Sequence, residues 1–258
     1  MKAKIVTVAN QKGGVGKTTT AINLAAGIAE RLQDVLLVDI DGQSNASGSL
    51  GLERKNFYPT IYESIMRRES PEKAVAPTGR DFFDLMPSSE DLNGAKVELV
   101  GESEREFRLK EVLDSFKESY RYIIIDAPPS LDLLTINALV ASDSAIIPIQ
   151  CEYYALEGLS QLVSTFSRIK KNLNRSLEIE GVLLTMHDKR TSLSYQVMDN
   201  IKKHFKGAVY RTVIPRNVRL AEAPSFGKSI FEYDRSSAGS KAYGSLADEF
   251  LKENSQEG

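Results

Sequence analysis

The run Asn10-Gln11-Lys12-Gly13-Gly14-Val15-Gly16-Lys17-Thr18-Thr19 stands between an apolar β-rich segment, Lys4–Ala9, and a helix-period segment, Thr18–Arg31, which leaves the chain few folds to choose from. Three glycines ahead of a Lys-Thr pair let the backbone wrap closely round an anion, while the N–H groups of the following helix N-terminus converge on it. At this spacing Lys17 reaches the β- and γ-phosphates of a nucleotide, and the Thr18 hydroxyl can ligate Mg²⁺. A tight strand–helix turn would use glycines too, but it has no need of Lys-Thr at this place. The usual phosphate-loop pattern opens on glycine, where this chain has Gln11.

The rest of the chain agrees with such a loop. Val35–Asp39, Tyr122–Ile125, Ala145–Ile149, Ile179–Thr185 and Val209–Val213 read as strands. Phe107–Ser119, Glu157–Asn172, Leu193–Phe205 and Gly239–Lys252 read as helices between and after them. Continuous apolar runs such as Ile123-Ile124-Ile125 fit strands buried on both faces, and alternation with helices makes such strands parallel. The predicted architecture is α/β: a doubly wound, mainly parallel sheet with helices on both faces and ligand loops at the carboxyl ends of strands. No repeat, heptad run or linker interrupts the pattern, so residues 1–258 read as a single domain. The single cysteine, Cys151, excludes an intrachain disulfide and makes no zinc site by itself. It reads as a small buried side chain, and His187 and His204 are too far apart and unaccompanied to argue for a metal. Tyr153 and Tyr154 read as core residues and not as a base-stacking platform. With no long apolar run and no signal peptide, the expected location is cytoplasmic.

Two acidic loops complete the picture. Leu36-Leu37-Val38-Asp39-Ile40-Asp41 ends a buried strand in two carboxylates two residues apart, a spacing that predicts both on one side, facing the nucleotide. Tyr122-Ile123-Ile124-Ile125-Asp126 is a second buried strand ending in a carboxylate suited to hold Mg²⁺ through water, followed by the rigid Pro128-Pro129 loop. Helix capping is the plainer alternative for each aspartate.

The sequence Lys12-Gly13-Gly14-Val15-Gly16-Lys17-Thr18 is a deviant Walker A motif, and with it the chain closely resembles the ParA/Soj DNA-partitioning ATPases of the ParA/MinD superfamily. The runs Cys151-Glu152-Tyr153-Tyr154-Ala155-Leu156-Glu157-Gly158-Leu159 and Ile214-Pro215-Arg216-Asn217-Val218-Arg219-Leu220-Ala221-Glu222-Ala223-Pro224-Ser225-Phe226-Gly227-Lys228 carry the likeness further. It extends from Lys4 to about Phe250 and is weakest across Glu53–Glu90. The resemblance implies a P-loop ATPase using ATP and Mg²⁺, in which Lys12 crosses an ATP-dependent homodimer to touch the partner's phosphates. It implies that Asp41 positions or polarises the attacking water and that Asp39 supports the loop and the magnesium shell. The diproline loop after Asp126 would then sense the γ-phosphate, and Pro215 and Asn217, with Arg216 nearby, would line the adenine pocket. Arg190 and Arg219 match the family's DNA-contacting arginines. The implied partners are non-specific double-stranded DNA of the nucleoid and a ParB-type protein that stimulates hydrolysis. The family usually reads Asp-x-Asp-Pro-Gln-Gly-Asn, whereas this chain has Gly42 for the proline and Ser44 for the glycine. Gly42 frees φ where proline would set it, which leaves the placement of Asp41 and the hydrolysis rate open.

Charge fits a polyanion-binding face without demanding one. The net charge is −2, yet residues 186–241 hold eleven Lys/Arg against five Asp/Glu, while residues 90–118 hold nine acids against five bases. Lys189, Lys202, Lys203 and Lys206 widen the basic region or are merely solvated, and Arg190 and Arg219 could instead pair with Asp188 and Glu222. With Met1–Lys4 leading straight into the first strand, no operator-reading helix-turn-helix is expected. A membrane-positioning ATPase like MinD would need a basic amphipathic carboxyl end, and Leu246–Asn254 is acidic. A cluster or metal carrier would need more cysteines. A ParA-like ATPase that moves a protein cluster differs only in its cargo.

Overall fold

Ile123, Ile124 and Ile125 show how the sheet is buried in the computed structural model, which describes residues 2–52, 57–152 and 155–255. Successive side chains of a strand point to opposite faces. Ile123 and Ile125 accordingly pack with Ile5, Leu36, Val38, Ile147 and Leu184 in one apolar core. Ile124 packs with Val6, Val8, Leu37, Ile146 and Leu183 in the other. Burying each such side chain is worth about 1.5–3 kcal/mol, and this two-sided burial forces helices onto both faces.

The chain runs through β1 (Lys4–Val8), α1 (Lys17–Ala29), β2 (Val35–Asp39), α2 (Asn45–Ser49), α3 (Ile61–Ile65), β3 (Ala76–Arg80), β4 (Phe83–Met86) and α4 (Leu92–Glu98). It continues through α5 (Arg108–Asp114), β5 (Tyr122–Asp126), α6 (Leu133–Ala141), β6 (Ser144–Gln150), α7 (Ala155–Asn172) and β7 (Glu178–His187). The last elements are α8 (Ser192–His204), β8 (Val209–Pro215), α9 (Val218–Glu222), α10 (Ile230–Tyr233) and α11 (Ala238–Asn254). The eight strands form one sheet in the order β3-β4-β2-β5-β1-β6-β7-β8. Every neighbouring pair is parallel except β3 with β4, which is antiparallel. The expected doubly wound, mainly parallel sheet is therefore present. Residues of α5, α6, α7 and α8 share the first core, and residues of α1, α10 and α11 share the second.

Several elements were not legible in the sequence. The hairpin β3–β4, with Ala76-Pro77-Thr78-Gly79-Arg80 as its edge strand, has weak strand signals, and proline and glycine are tolerated there because an edge strand leaves one side unpaired. The largely apolar helix α6 has no amphipathic period, since most of it is buried, the polar Thr135 and Asn137 included. The segment read as a helix over Phe107–Ser119 is helical only over Arg108–Asp114.

Candidate nucleotide site

Parallel pairing in register brings the acidic ends of two strands together. Asp39, the last residue of β2, pairs with Asp126, the last residue of β5, and Val8 of β1 flanks Asp126 on its other side. Both carboxylates are fully buried beneath the loop that joins β1 to α1. Side-by-side anions in a dry site repel, and desolvation penalises each. Burial pushes the Asp39 carboxyl up to about 6. Burial and then the Asp39 charge push Asp126 well above the usual carboxylate range, against the stabilising influence of Thr18 and Lys17.

The two aspartates differ in their partners. Asp39 accepts hydrogen bonds from the Asp41 amide at 3.1 Å and from the Ser47 amide and hydroxyl at 2.9 and 2.8 Å. The Ser47 hydroxyl in turn accepts from the Ser88 amide at 3.1 Å. Asp39 is thus a tie for the loop that follows β2. Neither carboxylate oxygen of Asp126 has a hydrogen-bond donor at bonding geometry. A buried, unpartnered carboxylate is costly unless a cation or ligand completes it.

Lys17 is buried 93% of the way out of solvent, at 7% exposure, and burial lowers its pKa while Asp126 and Asp41 raise it. Its ammonium donates to the Lys12 carbonyl at 3.1 Å, so it already curls under the loop it serves. Gly14 and Gly16 adopt left-handed backbone conformations with φ of 74° and 89°, which glycine alone takes without strain. Gly16 also caps the N-terminus of α1 and offers no side chain to the helix's free N–H groups. No atom lies within 4 Å of where a side chain would start at Gly13 or Gly14, so the cradle is open. The loop is braced from below: Val15 is buried, and its carbonyl accepts from the Thr185 hydroxyl at 2.8 Å. Thr18 and Thr19 lie half-buried at the start of α1.

Asp41 arrives by a different route from the one its spacing suggests. Strand β2 ends at Asp39, and Asp41 lies in a tight turn outside it, so alternation along a strand is not what places it. Its side chain accepts from the Gln43 amide at 3.0 Å, and its carbonyl accepts from the Ser44 amide at 2.7 Å. It is nonetheless buried and electrostatically close to both Lys17 and Asp126. Gly42 is not needed for an unusual φ; a Cβ there would lie 2.5–2.6 Å from the terminal atoms of Asn93. Ser44 takes the left-handed conformation at φ 52° with its hydroxyl buried and unpartnered. That is the conformation a glycine accommodates freely.

Beside the loop is a cavity of about 390 Å³ whose walls include Gly16, Thr19, Met186, Pro215, Asn217 and Tyr243. Arg216 also borders it. Asn217 caps α9, accepting from the Arg219 amide at 2.8 Å, which leaves its amide N–H groups for a ligand. Thr185, Met186 and Tyr243 were not anticipated. Thr185 and Met186 stand at the carboxyl end of β7, the general place for ligand contacts in such sheets, whereas Tyr243 comes from distant α11 and bonds Thr20 at 3.1 Å.

Lys12 is exposed and its ammonium is held by Glu152 of the same chain. Arg190, with a side chain 85% exposed, grips Asp188 through two N–H groups at 2.9 and 2.7 Å. Arg219 donates to Glu222 at 2.8 Å and lies 3.5 Å from Asp234. Cys151 is buried, and burial pushes its thiol up to about 11. Tyr153 and Tyr154 lie outside the described residues.

Against known proteins, the profile of a family described as "AAA domain" matches residues 3–179. The chromosome partitioning protein ParA of Myxococcus xanthus is 50% identical over 96% of this chain and 88% of its own length. The sporulation initiation inhibitor protein Soj of Bacillus subtilis is 53% identical over 95% of this chain and 97% of its own. The chain belongs to the ParA/Soj family. Among solved structures, a cobyrinic acid a,c-diamide synthase from Mycobacterium smegmatis with bound ADP and magnesium is similar, with a TM-score of 0.87. It is 33% identical to this ParA/Soj-family chain, over 98% of this chain and 96% of that one. The framework is thus shared more widely than the partitioning name, and the higher identity to ParA and Soj sets the family.

Proposed function

We propose that this chain is an ATP-dependent DNA-partitioning ATPase, whose ATP-closed homodimer binds DNA without sequence preference and whose hydrolysis a ParB-type partner stimulates. The observation that carries the nucleotide part is the buried, unpartnered Asp126 carboxylate facing Lys17 under an open glycine cradle. Those residues fit Mg²⁺ and a polyphosphate: Thr18 and Asp126 would hold the cation, and Lys17 with the amides of Gly13 to Thr19 would hold phosphate oxygens. Among the described residues no three His, Cys, Asp or Glu side chains gather around a metal position, so water and phosphate would supply the remaining ligands. Bound Mg²⁺ would supply charge neutralisation between the phosphates.

The chain's own residues do the rest. Lys17 binds and orients, Asp41 stands where it can hold a water's proton, and Asp39 keeps the Asp41 amide in place. Pro215 and Asn217 line a cavity suited to the adenine base. Lys12 must leave Glu152 to reach a partner's phosphates, which makes dimer formation an exchange of one anion for another. The Arg190 and Arg219 ion pairs are exposed, and such pairs are worth about 0–1 kcal/mol, so phosphates of a duplex can compete for both guanidiniums. A membrane role has less support: no helix of the described residues is long and apolar enough to cross a membrane, and Tyr243, Leu246, Ala247 and Phe250 commit the apolar face of α11 to the core.

Binding to random-sequence duplex DNA, measured with ATP, with ADP and without nucleotide at low and high salt, tests the reading. Tight binding with ATP alone, falling steeply with salt, is expected. Binding that ignores the nucleotide, or none at all alongside normal ATP turnover, would overturn DNA as the partner and leave a protein-positioning ATPase.

A further inference from the structure

The helix α4 reaches both loops that flank the phosphate site. Leu92 and Ala95 anchor it, fully buried in the core. Between and beyond them, Asn93 and Lys96 extend to opposite loops. The Asn93 carboxamide covers Gly42 so closely that a Cβ at position 42 would lie 2.5 Å from its oxygen and 2.6 Å from its nitrogen. Lys96 forms an ion pair at 2.6 Å with Asp132, the residue that caps α6 and closes the loop after Asp126. Gly42 is itself buried, the one residue between Asp41 and the Gln43 amide that Asp41 accepts from.

We infer that Asn93 is a positioning residue for Asp41, acting as a stop that holds the 41–44 turn closed from its outer side. This rests on the ATPase reading above. Among the described residues the turn is closed by the Gln43 and Ser44 amides donating to Asp41 and tied to β2 by the Asp41 amide donating to Asp39, while position 42 brings no side chain of its own. A glycine turn loses stiffness, and the Asn93 side chain, packed against the bare Cα, supplies the missing restraint from a neighbouring element. Asn93 itself is exposed, so its removal leaves the core intact. The arrangement also explains why glycine stands at position 42 without a left-handed φ: any side chain there evicts the carboxamide.

The test is a double-mutant cycle on the full chain, with Asn93→Ala, Gly42→Ala and the pair together. Two readouts are taken: ATP turnover with nucleotide affinity, and amide hydrogen exchange across residues 41–44 in nucleotide-free protein. Each single variant is expected to exchange faster at Gln43 and Ser44 and to lose kcat on the order of tenfold, with nucleotide Kd unchanged. The double variant should be no worse than either single, because both remove the same contact. Asn93→Gln, which keeps a carboxamide on a longer stem, should recover part of the loss. Unchanged exchange in Asn93→Ala would overturn the inference whether or not the chain turns over ATP. So would losses that multiply in the double variant. Absence of ATP turnover in the unsubstituted chain would instead count against the ATPase reading, with the exchange result still deciding the role of Asn93.

Discussion

Ser44 concentrates two costs in one residue. It holds φ at 52° without being glycine, and its hydroxyl is buried with no partner. A left-handed non-glycine residue costs roughly 1–2 kcal/mol, and an unmet buried hydroxyl adds about 1–3 kcal/mol. Glycine at this position gives back part of that through its freer unfolded chain. Ser44→Gly is therefore expected to stabilise the protein by about 1 kcal/mol in urea denaturation; a loss of stability would mean that the hydroxyl has a partner in solution. The buried aspartates predict a pH dependence. Folding raises Asp39 to about 6 and Asp126 well above its ordinary value. At these two carboxyls the folded chain holds more protons than the unfolded chain between about pH 4 and 6, and their stability contribution grows as pH falls through that window. The contribution of these two carboxyls should thus favour nucleotide- and magnesium-free folded protein more at about pH 5 than at about pH 7, read as the difference in urea midpoint between the unsubstituted chain and Asp39→Asn at each pH. A difference that does not change with pH would show that Asp39 stays ionised.

At the scale of elements, the contact between α1 and α11 sets how closely the phosphate helix can sit on its support. Gly27 makes this possible: a Cβ there would meet the Ala247 methyl at 3.0 Å and the Phe231 ring at 3.3 Å. Two effects oppose one another on substitution. Alanine gains about 1 kcal/mol of helix propensity over glycine but overlaps the Ala247 methyl and the Phe231 ring, which offsets that gain. Leucine gains the same propensity but must force the helices apart, at a cost of about 1–3 kcal/mol or more. Gly27→Ala should be near neutral and Gly27→Leu clearly destabilising, as read by urea denaturation. Equal stability of the two would mean that the α1–α11 contact is looser than it stands here. Since α11 also supplies Tyr243 to the base cavity, Gly27→Leu should weaken nucleotide binding as well.

Over the whole molecule, charge is sorted by position in the sheet. The basic stretch 186–241 begins at the end of β7 and runs past β8, the strand at one edge, whereas the acidic stretch 90–118 follows β4 near the other edge. A duplex attracted to the first would avoid the second, so reversal of a single basic charge should act on DNA and not on the nucleotide. Arg219→Glu is expected to abolish duplex binding while ATP-dependent dimerisation persists, checked by filter binding beside sedimentation. Loss of both would assign Arg219 a structural role through its contacts with Glu222 and Asp234. The amino-acid sequence by itself determined the phosphate loop, the strand–helix alternation, the buried strands ending in Asp39 and Asp126, and the family, because each is a local pattern of residue type and spacing. Only the tertiary structure decided that Asp39 and Asp126 lie in register side by side, that Asp41 sits in a turn, and that Lys12 rests on Glu152. It also decided that Thr185, Tyr243 and Asn93 reach the site. Those facts depend on strand pairing and packing between residues far apart in the chain, and no local pattern encodes them.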